Sequence, residues 1–189
     1  HPLKKRSYWA LTAAISLSAL GLGMIVSHLL PMMNWLGAEA RTAYFAAALI
    51  GPAQFAGRFW LAMSRRTWNQ QTLAAACLLG LAIAPCFLLI SSLGVAWLFA
   101  FAIMHGACYG ISSIMRPLII REALGHAGFG RSQGAVLAPA FMAFGAAPFL
   151  AALLADAHGY LSVLVVCILA QTLGAIFLGR LTQMTPRQA

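Results

Sequence analysis

An all-α integral membrane fold with six transmembrane helices is what this sequence predicts, and three observations carry that expectation. Hydrophobic residues make up 62% of the 189 positions and charged residues only 8%, with a mean hydropathy of +0.86. A water-soluble domain carries roughly 25% charged residues, so a solvated surface cannot be built from this chain. The apolar residues also fall into segments close to the ~20 residues that cross a hydrocarbon core. Finally, the basic residues collect between those segments, as the positive-inside bias requires.

The chain opens on a basic lead, residues 1–8, with Lys4, Lys5 and Arg6. A signal peptide has the same form, but the run that follows is long enough to span, and Tyr8 and Trp9 suit an interfacial belt. The absence of an initiator Met gives the expectation that the chain starts inside a longer protein. Six spans are then expected at residues 9–30, 42–63, 72–91, 94–115, 134–155 and 160–181, forming one membrane bundle over 9–183 with a cytoplasmic tail at 184–189. Helices are the expected state because a helix satisfies its backbone hydrogen bonds within one segment.

Loop charges set the orientation. With the N-terminus in the cytoplasm, that side receives Lys4, Lys5, Arg6, Arg65, Arg66, Arg116, Arg121, Arg131, Arg180 and Arg187. The other side receives Arg41, Glu39 and Asp156, and Arg58 lies within its span. Both termini are therefore expected to be cytoplasmic, in a plasma membrane of the bacterial inner type. The net charge of +9 is explained by this bias, so the expected partner is the lipid bilayer and not nucleic acid. Cys77, Cys86, Cys108 and Cys167 all fall in apolar runs with neither disulfide nor metal-ligand spacing. No metal and no cofactor are expected.

Two stretches narrow the class. Gly51, Pro52, Gly57-Arg58 and Arg65-Arg66 resemble the loop that joins the second and third helices in a half of a major facilitator superfamily transporter. The acidic residue usual in that loop is absent, with Leu61 and Ala62 in its neighbourhood. Ala138-Pro139, Gly145-Ala146-Ala147-Pro148 and Asp156-Ala157-His158-Gly159-Tyr160 are similar to the Gly/Pro-rich fifth helix of such a half and its closing turn. The whole chain thus resembles the C-terminal half. That resemblance implies a missing N-terminal six-helix half as partner, a small-molecule substrate bound between the halves, and alternating access by rocking.

Folds of this kind are built from three-helix repeats, and segments 1–3 and 4–6 form two such sets here. Segments 1 and 4 each carry a His (His28, His105), and segments 2 and 5 each carry Gly and Pro. Gly51, Pro52, Gly57, Arg65, Arg66, Gly145 and Pro148 are the candidates for conformational roles, because Pro and Gly let a helix bend.

Candidate cavity residues come from helical spacing. His105, Tyr109, Ser112 and Arg116 step by 4, 3 and 4 along one helix face, as Gln54 and Arg58 do on segment 2. Polar groups at this depth are costly against lipid and are expected to face a cavity or a partner helix. The arginines make an organic anion the expected substrate, since a guanidinium fork matches a carboxylate. Glu39, Glu122 and Asp156 all lie in loops or at span ends, so a proton relay inside the spans would fall to His105. Gly130-Arg131-Ser132-Gln133-Gly134 matches a hydrolase nucleophile pattern, but at the start of a membrane helix it lacks the strand–turn–helix setting that chemistry needs. No enzyme activity is expected. A freestanding six-helix channel or scaffold acting as a homodimer is the other reading open at this point.

Overall fold

The computed structural model describes residues 2–64, 69–125 and 128–184, with side-chain surroundings given for 6–64, 69–125 and 128–181. Arg65 and Arg66 lie outside the described residues. Among the described residues there are six α-helices and no strand: α1 (Pro2–Trp35), α2 (Ala40–Met63), α3 (Gln70–Leu89), α4 (Ala96–Leu124), α5 (Phe129–His158) and α6 (Tyr160–Met184). A 3-10 turn, Ser91–Leu93, links α3 to α4, at the gap between the expected spans 72–91 and 94–115.

Five of these helices (α1, α3, α4, α5 and α6) are long and apolar enough to cross a membrane, which makes this a multi-pass membrane protein. Helix α2 has the length, at 24 residues, but Arg41, Gln54 and Arg58 along it lower its hydropathy.

The helices run further than the apolar segments. α1 continues through Pro31 and α4 through Pro117. A proline removes one backbone donor and kinks a helix in water, whereas neighbouring helices and side chains re-satisfy the freed carbonyl in a membrane bundle. Pro139 shows how. It leaves the carbonyl of Ala135 without its intrahelical donor, and the Tyr8 hydroxyl of α1 donates to that oxygen at 3.3 Å.

Local chemistry fixes the turns. The Asn69 side chain accepts from the Thr72 amide at 2.9 Å and starts α3. A single residue, Gly159, separates α5 from α6, and its φ of +75° is the left-handed conformation that glycine adopts without strain.

Helix α1 packs on α5 and α6, α4 packs on α2 and α3, and α3 packs on α6. Two apolar clusters fill the interior. One gathers Leu11, Leu78, Met115 and Leu178, and the other gathers Met24, Met32, Phe101 and Leu164. Burial is uneven: 61% of the apolar stretch of α1 is inside the protein but only 22% of that of α5. Helices α2 and α5 therefore turn large aromatic side chains outward, among them Phe55, Phe59, Phe141 and Phe149.

Glycines set the closest approaches. Gly57 lies against the Ala107 backbone, and Gly106 against Ala53 and the Ile50 carbonyl, so that α2 and α4 touch almost backbone to backbone. On the other flank, Gly23 of α1 lies against Ala147 and the Phe144 carbonyl of α5.

Candidate functional site: an arginine-walled cavity

Helices α1, α4 and α5 enclose an open cavity of about 470 Å³. Its size falls within the range of small-molecule sites. α1 contributes Ala19 and Leu22, and α4 contributes Tyr109, Ser113, Arg116 and Pro117. The wall from α5 is Gln133, Leu137, Ala140, Phe141 and Phe144. The cavity thus has a polar flank on α4 and an aromatic flank on α5.

Among the described residues, Arg116 is the only charged one lining this cavity. Its guanidinium carbon sits over the Tyr109 ring, 5.7 Å from the ring centre, within the range where a cation is attracted by an aromatic face. Nη2 is shut off from solvent with no hydrogen-bond partner. Behind it is a water-sized space of about 10 Å³ shared with Ser18 and Ser112, and the buried Ser18 hydroxyl is likewise unpartnered. A chamber of that size, with polar atoms on its wall, meets the needs of one bound water.

Pro117 adds a second polar element, because it removes the helical donor to the Ser113 carbonyl, and both residues line the cavity. The Ser113 hydroxyl is already engaged, donating to the Gly110 carbonyl at 2.7 Å.

The other residues singled out by sequence spacing lie elsewhere. His105 is buried, 1% exposed, and does not line the cavity. Its ring stacks on Phe101 at 5.2 Å, and neither ring nitrogen has a hydrogen-bond partner. Gln54 is half-buried, and its backbone lies against Gly110. Arg58 is exposed on α2, beside the stacked pair Phe55–Phe59. Gly51 and Pro52 are exposed on α2 as well. Gly145 faces open space on α5, and Pro148 accepts through its carbonyl a contact of 3.2 Å from His28 Nε2. Tyr109 and Arg116 are thus brought together in the cavity; His105, Gln54 and Arg58 are not.

Sequence spacing alone does not single out the α5 wall. Gln133, Leu137, Ala140 and Phe144 step by 4, 3 and 4, the same pattern that drew attention to α4. A mostly apolar face gives no signal of its own until a cationic neighbour defines the other side.

No family model matches this chain, and no curated protein matches it in sequence.

Proposed function

We propose that the chain is one six-helix half of a secondary active transporter of the major facilitator type. It moves a small organic anion by alternating access, with α2 as the sixth span, both termini in the cytoplasm and a second six-helix unit as partner. The observation that carries the reading is Arg116, held over Tyr109 as the one cation among the described residues on the wall of a cavity of about 470 Å³.

The order of helix packing supports two three-helix repeats. Exchanging α1 with α4, α2 with α5 and α3 with α6 turns the α1–α5 pair into α4–α2 and the α1–α6 pair into α4–α3, while α3–α6 maps onto itself. The tight contacts follow the same exchange. Gly23 meets Ala147 and the Phe144 carbonyl, and Gly106 meets Ala53 and the Ile50 carbonyl, with the members of each pair three positions apart. Such a relation is what inverted repeats produce. The outward aromatic faces of α2 and α5 offer the surface on which a partner unit would close the cavity.

Binding of fluorescein, an aromatic organic anion, to the full-length protein in nanodiscs tests the site. Fluorescence anisotropy is expected to report saturable binding that Arg116→Gln weakens by roughly tenfold or more, the loss of one hydrogen bond to a charged group. Rhodamine, a cation of similar shape, should not compete. Equal affinity of Arg116→Gln for fluorescein would remove the anion site. The homodimeric channel reading predicts instead a steady ion conductance in planar bilayers and two chains per particle.

A further inference from the structure

Cys77 of α3 and Cys108 of α4 lie in the same apolar seam between the two packed helices. Gly80, one turn along α3, lies directly over the Cys108 sulfur; a side chain at that position would collide with it. The missing side chain is what lets the thiol lie in the seam. Cys77 is buried and Cys108 half-buried, so the pair keeps an exposed edge. Its surroundings are apolar, with Leu78, Leu81, Ile111 and Met115 in the same cluster. Cys86 and Cys167 stand apart, each directed at a backbone carbonyl, that of Ala82 at 3.8 Å and that of Gly21 at 3.5 Å.

We infer that Cys77 and Cys108 form an intramembrane dithiol site for monosubstituted trivalent arsenicals of the form R–As=O. Two arsenic–sulfur bonds form and the arsenic–oxygen double bond breaks. Both thiol protons leave with that oxygen as one water, and arsenic keeps its oxidation state. The product carries no net charge, which suits an apolar interior where an isolated ion is costly. Arsenic holds its two sulfurs at nearly a right angle and leaves them apart, with no bond between them. A disulfide would instead require the two sulfurs to close to about 2.05 Å.

The pair also selects among ligands. Inorganic arsenite uses three thiolates, and structural zinc uses about four ligands; among the described residues no group of three or more His, Cys, Asp or Glu side chains is gathered. The organic substituent replaces the third sulfur and rests in the apolar seam.

Phenylarsine oxide is the probe, added to the full chain in nanodiscs and read by intact mass. One phenylarsenic unit should be gained per chain with two hydrogens lost, retained against 2-mercaptoethanol and released by 2,3-dimercaptopropanol. Cys77→Ser and Cys108→Ser should each abolish the monothiol-resistant adduct, whereas Cys86→Ser and Cys167→Ser keep it. Gly80→Ala retains both thiols but displaces the Cys108 sulfur, and should weaken retention at least tenfold. Arsenite should leave no monothiol-resistant adduct on the native chain. Absence of the adduct from the native protein, or its survival in Cys77→Ser or Cys108→Ser, would overturn the site. Helical circular dichroism identical to the native chain's is required of each variant, and Cys77→Ala and Cys108→Ala stand in for any serine variant that fails it.

Discussion

His105 and Arg116 sit on one face of α4, eleven residues apart, and their surroundings assign them different work. Arg116 reaches a cavity, with Tyr109 beneath its guanidinium. His105 is enclosed on all sides with two orphaned nitrogens, each a buried polar group left without a partner at a cost of about 1–3 kcal/mol. His105→Leu is therefore expected to raise the melting temperature in detergent while leaving fluorescein affinity within about twofold, because it removes an unmet hydrogen-bonding demand and touches no cavity wall. On the proposed transporter reading, His105→Gln should leave the pH dependence of transport unchanged; a changed pH profile would return the proton relay to this residue. Spacing made Tyr109 and Arg116 legible in the sequence, and it brought in His105 with them. Periodicity reports which side of a helix a residue occupies, and α4 has neighbours on more than one side, so one polar stripe can serve both a core and a cavity.

At the scale of the helix pair, small residues decide what can approach. A Cβ on Gly106 would lie 2.6 Å from the Ala53 Cβ and from the Ile50 carbonyl, and one on Gly57 would lie 2.5 Å from the Ala107 carbonyl. Gly106→Ala and Gly57→Ala are expected to destabilise the bundle by about 1–3 kcal/mol each, the usual effect of overpacking. Gly145→Ala faces open space and should be neutral or stabilising by about 0.4–1 kcal/mol, through reduced freedom of the unfolded chain. Thermal unfolding in one detergent compares all three. The helices themselves were easy to read from apolar length, but their ends were not. α4 extends to Leu124 where the apolar run stops at 115, because a helix continues into the interface as long as its last carbonyls find water. Nor could the pattern tell that Gly57 is pressed between helices while Gly51 and Gly145 face outward; glycine reads the same in either setting.

For the molecule as a whole, the division between a buried set of helices and an outward pair matters most. Helices α1, α3, α4 and α6 form the interior, and α2 and α5 flank it with aromatic faces turned out. On the proposed transporter reading, Phe55→Gln and Phe149→Gln are expected to leave the melting temperature of this chain unchanged and to weaken association with the partner six-helix unit which that reading requires, read by co-purification of the two separately tagged units. A fall in the chain's own stability would mean instead that these rings support the unit internally.

One difference among the helices bears on how the bundle comes apart. Prolines interrupt α1 at Pro31, α2 at Pro52, α3 at Pro85, α4 at Pro117 and α5 at Pro139 and Pro148, whereas α6 contains none. Each interruption is a place where the backbone ladder lacks a rung, and so a ready point of fracture. Pulled out of a bilayer from its C-terminal end by a cantilever, α6 should leave as a single unbroken rod in one force peak. The helices extracted after it should yield in shorter steps, parting at their prolines, α5 in three and the others in two.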